Sequence, residues 1–226
     1  MKKIGVIGTG KTGSQVINLL GNRAVPFNRQ NPVTKDNLHL LDGVIVFVSP
    51  DGASEVLQHV LDAGLPVVWG TTGFELPKNL HDSVAESGTA WVVASNFSIG
   101  MVLIEKIIHE IGEFSKLLED PVFEIHETHH TEKKDKPSGT ALSWRKWLNQ
   151  PVSIQSERRG DVTGIHELVV ESRGEILTLR HEAKDRTLFA AGAVRAMEWL
   201  FENKELRGVC SLSALLNHVN YDKTTK

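Results

Sequence analysis

Short apolar segments alternate with amphipathic helical segments through the first part of this chain. The strand candidates are residues 2–7, 24–27, 43–48, 67–69 and 90–94, and helical periodicity lies near residues 53–62 and 77–86. Nearly continuous apolar strands separated by helices are typical of a parallel sheet that is covered on both faces. The pattern therefore predicts an α/β fold with a parallel sheet domain of the Rossmann type.

The second half of the chain has a different order of elements. A long helix is expected at residues 101–118, strands at 122–129, 152–157, 165–171 and 176–182, and a helix at 186–201. These elements predict an α+β domain with a mixed open sheet. Val169, Leu177 and Leu179 need cover from another surface, because helices on one side of such a sheet leave its other side free.

A glycine-rich turn follows the first strand candidate. Gly8, Gly10 and Gly13 fit G-x-G-x-x-G, the dinucleotide-binding pattern, while residues 5–12 fit G-x-x-x-x-G-K-T, the triphosphate loop. Gly5 lies inside the strand, and the apolar run at residues 44–48 does not end in the aspartate expected for magnesium. The spacing therefore favours a dinucleotide. A purely structural glycine turn is the remaining alternative.

The end of the second strand candidate bears on the choice of dinucleotide. An acidic residue normally holds the NAD ribose about 20 positions after the first glycine, but this chain has Asn28 and then Arg29. Arg29 and Lys11 are available for a 2′-phosphate, so we predict a preference for NADPH, with NADH possible. The alternative is that Arg29 is only a solvated loop charge.

Histidines, lysines and a helix-capping serine crowd together in residues 124–141. His129, His130 and Lys133 precede Ser138, a natural N-cap for a helix at residues 139–148. An anionic ligand would offset the repulsion among these cations, and free N–H groups at a helix start favour a carboxylate or phosphate. The alternative is a capped helix that follows a solvated loop.

The same segment spells H-E-x-x-H, the zinc protease pattern, at residues 126–130. That motif requires a helix, which places both histidines on one face. Residues 122–126 instead alternate apolar and polar side chains as a strand does. On a strand, His126 and His130 share one face and Glu127 points to the other, so we predict no metal site.

Composition narrows the class of partner. The 226 residues include 28 acidic and 25 basic side chains, a net charge of −3, and a single cysteine, Cys210. This balance predicts neither a nucleic-acid surface nor a membrane surface, and we expect a small-molecule partner. The lone cysteine is consistent with a reducing cytoplasm.

Several motifs together identify a resemblance to a known family. Glu127, His129, His130, Lys133, Asp135, Pro137, Ser138, Gly139, Thr140 and Ala141 resemble the signature of the 4-hydroxy-tetrahydrodipicolinate reductases. Residues 70–74, 94–100, 160–166, 177–184 and 189–199 extend the resemblance over most of the chain.

The resemblance implies an enzyme of lysine biosynthesis that transfers hydride from a nicotinamide to a cyclic unsaturated dicarboxylate. It implies His129 as proton donor and Lys133 as its partner or alternative acid, with His130, Ser138, Gly139 and Thr140 holding the substrate. The expected cofactor-binding residues are Gly8, Gly10, Lys11, Thr12, Gly13, Asn28, Arg29, Gly70, Thr71, Thr72, Ser95 and Phe97. A homotetramer joined through the open sheet is also implied.

The resemblance further implies two domains with hinges near Ser98 and Arg195. Residues 1–98 and 196–226 are expected to bind the dinucleotide, with residues 206–219 returning to that domain, and residues 99–195 to bind substrate and mediate assembly. The chain departs from the family at Thr12, Val46 and Val48, all on the cofactor side. The alternative function is a dinucleotide-binding sensor or scaffold without efficient catalysis.

Overall fold

The computed structural model describes residues 1–214, which form two compact units. The first unit contains Met1–Ser98 and the segment that begins at Thr187, and the second contains Ile99–Arg186. Both crossings between units therefore lie at the start of a helix. Among the described residues, no helix is both long and apolar enough to span a bilayer.

The first unit is built on a six-stranded parallel sheet. Its strands are β1 (Ile4–Ile7), β2 (Ala24–Phe27), β3 (Gly43–Val46), β4 (Val67–Trp69), β5 (Ala90–Val93) and β10 (Gly208–Cys210), in the order β10-β5-β4-β3-β1-β2. All five neighbouring pairs are parallel. Pairing of β10 with β5 returns the chain to this unit as expected, although residues 215–219 of the expected segment lie outside the described residues.

Helices cover this sheet and bury its apolar side chains. They are α1 (Lys11–Leu20), α2 (Lys35–Leu38), α3 (Pro50–Ala63), α4 (Leu80–Glu86) and α7 (Thr187–Glu202). The indole rings of Trp69 and Trp91 stack in the core with centroids 6.2 Å apart. The short helix α2, capped by Thr34, was not expected from the sequence because it has too few residues to show a helical period.

Helix α7 corrects two expectations. It runs without interruption through Arg195, so neither the domain boundary expected at residues 195/196 nor the hinge expected at Arg195 lies there. The helix belongs to the first unit as a whole because it packs closely on that unit. A Cβ placed on Gly192 would lie 1.7 Å from the carbonyl oxygen of Phe97, and one placed on Gly43 would lie 2.7 Å from Sδ of Met197.

The second unit is a mixed four-stranded sheet packed against two helices. Its elements are α5 (Ile99–Phe114), β6 (Val122–His129), α6 (Gly139–Leu148), β7 (Ser153–Arg158), β8 (Ile165–Glu171) and β9 (Ile176–Glu182). In the sheet order β7-β6-β8-β9, β6 is parallel to β7 and antiparallel to β8. One core joins the inner face of the sheet to both helices, with Ile125, Leu168 and Trp144 fully buried.

The three apolar residues expected to share an uncovered face do not share one. Leu179 pairs with Leu168 and Leu177 with Val170, so both leucines point to the inner face of the sheet, where Leu179 packs against the core and Leu177 stays 42% exposed. Val169 lies on the opposite side. The outer face is consequently more polar than the sequence suggested, because directly paired residues point to the same face and the register places Leu179 and Leu177 opposite the buried Leu168 and Val170.

Candidate active site

The glycine turn joins β1 to α1 at the carboxyl edge of the parallel sheet. Gly8 has φ of 98°, which favours glycine, and a Cβ placed on Gly13 would lie only 1.8 Å from the carbonyl oxygen of Gly8. Helix α1 can therefore approach the turn closely, as a dinucleotide-binding turn requires. Gly5 lies inside β1 and pairs with Val25 and Val44, so the triphosphate loop is not formed.

A cavity of about 760 Å³ opens beside this turn. The lining includes Gly8, Gly10, Asn28, Arg29 and Glu55. The Oδ1 atom of Asn28 accepts backbone hydrogen bonds of 2.8 and 3.0 Å from residues 30 and 31, so this side chain shapes the loop and leaves Arg29 exposed at its tip. The turn after β2 thus presents a cation to the cavity, without a carboxylate of its own.

Lys11 and Thr12 form the first turn of α1, where Lys11 is exposed and Thr12 is half-buried. The expected cofactor-binding residues in the loops after β4 and β5 differ in their exposure to solvent. Thr71 is buried, and its Oγ1 accepts a 3.2 Å hydrogen bond from the backbone N–H of Val48, while Thr72 and Ser95 are exposed.

Gly70 and Phe97 both pack against the ring of Phe47. A Cβ placed on Gly70 would lie 2.1 Å from that ring, and the Phe97 ring meets it edge to face at 5.7 Å. The Phe97 side chain is only 1% exposed. It is therefore a core side chain, and only the backbone of this residue is left for a ligand.

Strand β6 places the catalytic candidates of the second unit. Phe123, Ile125, Glu127 and His129 alternate onto the buried face, while His126 lies on the other face with its Nε2 atom 3.0 Å from Oε2 of Glu124. The prediction of a strand rather than a zinc-binding helix is confirmed. A strand separates Glu127 from His126, because successive side chains point to opposite faces.

Glu127 is a buried carboxylate at the centre of the site. Its Oε2 atom lies 2.8 Å from Nδ1 of His129, and Oε1 accepts a 3.1 Å hydrogen bond from the backbone N–H of Ser138. Two guanidinium nitrogens of Arg158 also donate to Oε1, each at 3.2 Å. One carboxylate therefore connects β6, β7 and the start of α6.

The loop between β6 and α6 holds the remaining candidates. His130 is half-buried, and its carbonyl accepts a 3.2 Å hydrogen bond from the N–H of Lys133, whose Nζ lies 2.8 Å from Oδ1 of Asp135. Arg158 donates to the carbonyls of Lys133 and Asp135. These bonds give the loop a defined path even though most of its side chains face solvent.

Ser138 caps α6 as predicted. Its Oγ accepts a 3.2 Å hydrogen bond from the N–H of Ala141, so that N–H is occupied rather than free as the sequence suggested. Gly139 is exposed and Thr140 is half-buried at the first turn of the helix. The N–H of Gly139 helps to stabilise the Asp135 carboxylate. A ligand carboxylate at this helix start would therefore join or replace Asp135.

Burial and charge act in opposite directions on the ionisable groups. Burial favours a neutral Glu127, but hydrogen bonds from Ser138 and Ser156 and the nearby His129 and Arg158 together hold its pKa below 4.5. Burial lowers the pKa of His129 below 6.5 despite the Glu127 carboxylate, and Lys133 and Arg158 lower it further. The carboxylate is therefore charged at neutral pH, and His129 is mostly neutral in the unliganded site.

Burial and nearby charge also act in opposite directions on the ionisation of Asp135. Burial opposes its ionisation, but the hydrogen bond and charge of Lys133 lower its pKa below 3.8. The Lys133–Asp135 pair is therefore charged on both sides at neutral pH. Lys133 keeps a quarter of its side chain exposed, so its ammonium group remains accessible to a ligand.

His166 on β8 completes the buried cluster. Its Nε2 lies 3.2 Å from Oγ of Ser138, and its ring meets that of His129 with centroids 5.0 Å apart. Burial and the neighbouring His129 lower its pKa to about 3. Ligand atoms of Glu127, His129 and His166 lie within 4.8 Å of one another. We interpret this group as a hydrogen-bonded cluster, because the Arg158 guanidinium bound to the same carboxylate disfavours a divalent cation.

Sequence reasoning missed the contributions of Arg158 and His166. A signal for His166 was present, since it precedes Leu168 and Val170 by two and four residues and therefore falls on the buried face of β8. Arg158 ends β7, a strand whose alternation is too weak to indicate which face its terminal residue takes.

Comparison with known proteins places the chain in a family. The family model for the N-terminus of dihydrodipicolinate reductase matches residues 25–97, and the model for its C-terminus matches residues 100–216. The N-terminal match begins after the glycine turn. The C-terminal match includes the complete Glu127 cluster.

Relatives and solved structures agree with these matches. A 4-hydroxy-tetrahydrodipicolinate reductase of Natronomonas pharaonis is 32% identical, with 88% of this chain and 94% of that protein covered. One of Haloarcula marismortui is 36% identical, with 71% of each chain covered. The dipicolinate-bound dihydrodipicolinate reductase of Paenisporosarcina sp. TG-14 has the same fold, with a TM-score of 0.75 at 19% identity over 93% of this chain and 97% of that chain. This chain therefore belongs to the dihydrodipicolinate reductase family.

Proposed function

We propose that this protein reduces 4-hydroxy-tetrahydrodipicolinate to tetrahydrodipicolinate in the diaminopimelate route to lysine. The reductant is a nicotinamide dinucleotide held by the first unit, and the dicarboxylate is held by the second. The observation that carries the proposal is the grouping of His129, Lys133 and the capped start of α6 around one buried carboxylate, Glu127.

The second unit offers a cationic surface for a dicarboxylate. Lys133 supplies an accessible ammonium group, and the helix start at Gly139 and Thr140 favours negative charge. His130 and Ser138 complete the proposed substrate site. The dipicolinate-bound relative supports this class of ligand, because dipicolinate is itself a cyclic dicarboxylate.

The product lacks the 4-hydroxyl of the substrate, so that group must leave as water, and reduction of the resulting unsaturated ring then requires a hydride and a proton. The nicotinamide supplies the hydride, and the carbanion-like enamine that results must take up a proton. We assign the proton to His129, with Lys133 as the alternative acid. A dianionic substrate favours the charged imidazolium, so binding raises the pKa of His129 from its lowered value in the unliganded site.

The proposed cofactor-binding residues are those of the glycine turn, the Asn28 turn and the loops after β4 and β5. We propose NADPH as the preferred cofactor. Arg29 at the edge of the cavity would pair with the 2′-phosphate, and Asn28 cannot replace the carboxylate that usually holds the NAD ribose. NADH remains a usable substitute because the rest of the dinucleotide is the same.

A coupled assay tests the function directly. The preceding synthase supplies substrate, and NADPH oxidation is followed for the wild type, His129→Gln and Lys133→Ala. We expect a loss of about 10²- to 10⁴-fold in kcat for the variant that lacks the acid, and a large increase in KM for the variant that lacks the anchor. His126→Gln and Lys134→Ala are matched controls, since His126 lies on the other face of β6 and Lys134 is exposed.

The sensor or scaffold alternative predicts a different result. A dinucleotide-binding relative without chemistry would bind NADPH but show no synthase-dependent oxidation. Equal turnover in wild type, His129→Gln and Lys133→Ala would refute the assigned acid and anchor.

We also propose a cytoplasmic homotetramer, joined through the outer face of the β6–β9 sheet. Val122 and Ile176 are apolar residues on that face, 59% and 63% exposed. Light scattering of the active protein tests the assembly, and a stable active monomer would contradict it.

A further inference from the structure

Two buried polar atoms face each other at the centre of the site. Nδ1 of His129 and Oε2 of Glu127 are 2.8 Å apart, and both atoms are shielded from solvent. A buried N–H without an acceptor is rare, and a buried carboxylate oxygen needs a donor. A proton carried on Nδ1 would satisfy both atoms at this separation.

We propose that Glu127 is a positioning residue that fixes the tautomer of His129 and so makes Nε2 the atom that delivers the proton. The proposal rests on the proposed function, in which His129 is the acid. Nδ1 is shielded from solvent, so it cannot reach a substrate. Nε2 is on the other side of the ring, next to Gly164, where a Cβ would lie 3.2 Å from it.

The other oxygen of Glu127 prevents the carboxylate from turning. Oε1 accepts hydrogen bonds from the Ser138 N–H and from two nitrogens of Arg158. These donors come from the start of α6 and the end of β7, so three elements hold the carboxylate. Since Ser138 also begins the anion-binding helix, Glu127 links the position of the acid to that of the substrate carboxylate.

The protonated imidazolium carries N–H bonds on both nitrogens. When hydride transfer from the nicotinamide has produced the carbanion-like enamine, the Nε2–H bond breaks, its electron pair stays on Nε2, and a C–H bond forms. The substrate, which has already lost its 4-hydroxyl as water, is reduced by the hydride that a bound nicotinamide would supply. The neutral ring keeps its Nδ1–H directed at Glu127, and the next proton returns to Nε2 from solvent.

Several charged groups influence the titration of His129. The groups from all packed elements are Glu127 on its own strand, Lys133 and Asp135 in the following loop, Arg158 on β7 and His166 on β8. The two carboxylates favour the imidazolium, and the three other groups oppose it when charged. Glu127 is the larger of the two favourable influences.

Glu127→Gln tests the proposal with little change in shape. The three donors around Oε1 should retain the amide oxygen there, so the amide NH₂ would face Nδ1 of His129 and force that atom to act as an acceptor. The neutral ring would then carry its proton on Nε2, and loss of that proton would leave an unfavourable anion. We expect kcat to fall by about 10²- to 10⁴-fold. The dissociation constants of dipicolinate and NADPH should change by less than about threefold, whereas a tenfold change would correspond to about 1.4 kcal/mol.

The same substitution should also shift the pH profile. The limb of kcat/KM that reports His129 moves to lower pH, because the main group favouring the charged form has lost its charge. Glu124→Gln is the matched control. Glu124 contacts His126 two residues along the same strand at 3.0 Å, but on the opposite and more exposed face. That variant should retain both the kcat and the pH profile of the wild type.

The outcomes separate the inference from the proposed function. A wild-type protein without synthase-dependent NADPH oxidation would refute the proposed function. An active wild type together with a Glu127→Gln variant of unchanged kcat and pH profile would overturn the role of Glu127. Nitrogen-15 NMR of the wild type gives a test that needs no variant to fold. The neutral His129 ring should carry its proton on Nδ1, and a proton on Nε2 would overturn the inference.

Discussion

The guanidinium of Arg158 donates two hydrogen bonds to a single oxygen of Glu127, each 3.2 Å long. The Glu127 side chain is fully buried and that of Arg158 is 14% exposed. Arg158 is thus the counterion of the carboxylate that contacts the proposed acid. Arg158 also donates to the carbonyls of Lys133 and Asp135, which lie in the loop that follows β6, and to the carbonyl of Glu157.

Replacement of Arg158 by methionine should destabilise the fold strongly. Removing one partner leaves a buried carboxylate without its cation, which typically costs about 3–5 kcal/mol. Urea denaturation at pH 7 measures the change. Arg173→Met is a suitable control, because the Arg173–Glu119 pair is 77% and 70% exposed and exposed pairs contribute less than about 1 kcal/mol. Equal losses in the two variants would contradict the buried-pair interpretation.

Stability should fall as the solution is acidified below pH 6.5. The pKa of His166 is about 3 in the folded protein, against 6.5 as its ordinary value. Between these values the unfolded chain binds the proton and the folded chain does not, so stability is lost as pH falls, by up to about 1.4 kcal/mol per pH unit. Depressed pKa values at His129 and Glu127 act in the same direction, the latter below 4.5.

Urea denaturation from pH 7 to pH 4 measures this dependence. His166→Gln should flatten it, because glutamine does not titrate. His109→Gln, at an exposed position on α5, should leave the slope unchanged. A wild-type stability that does not vary with pH across this range would contradict the buried, neutral state of His166.

Gly164→Ala should reduce turnover more than stability. The new Cβ would lie 3.2 Å from Nε2 and 3.4 Å from Cδ2 of His129, closer than most such contacts, so the imidazole must shift by a few tenths of an ångström. We expect kcat to fall about tenfold, since small misplacements of a catalytic group are costly. Gly174→Ala, where a Cβ meets nothing within 4 Å, is the control. Unchanged kcat in Gly164→Ala would argue against delivery from Nε2.

Gly13→Ala should weaken both the fold and cofactor binding. Its Cβ would lie 1.8 Å from the carbonyl oxygen of Gly8, so α1 would have to move away from the turn. Overpacking of this kind typically costs about 1–3 kcal/mol. Gly10→Ala lies in the same turn with open space around its Cβ and should show almost no loss in urea denaturation. Similar stability of the two variants would contradict the close approach of helix and turn.

Arg29→Gln tests the proposed cofactor preference. Loss of a charge-assisted hydrogen bond to the 2′-phosphate should raise KM for NADPH by about 10- to 100-fold, which corresponds to about 1.4–3 kcal/mol. KM for NADH should not change, because that cofactor lacks the phosphate, and it provides the control within one protein. A wild-type protein that prefers NADH would show that the proposed preference for NADPH is wrong.

Elements with strong local patterns were predictable from the sequence. The bounds of β6, β8, β9 and α6 agree with their predicted ranges, because β-branched alternation and the Ser138 cap mark both their type and their ends. Agreement was poorer at α7, where the helix is as expected but the domain boundary is not. A helix pattern indicates a helix but does not indicate on which unit the helix packs.

The site was predictable only in part for the same reason. His129, Lys133 and Ser138 stand close together along the chain, so the capped helix and the cationic residues before it can be recognised from the sequence. Arg158 and His166 come from strands that follow α6, and their approach to Glu127 depends on pairing of β6 with both β7 and β8. The register of strand pairing decides which distant residues come together, and that register cannot be derived from a single sequence.

The sequence by itself determined the class of fold, the strand that carries His129 and the capped helix start, because each depends on side-chain periodicity or capping within a few residues. Only the tertiary structure places the Glu127 carboxylate against His129. That placement required burial, since only the exclusion of water and the approach of Arg158 and Ser138 leave one oxygen of the carboxylate directed at the imidazole.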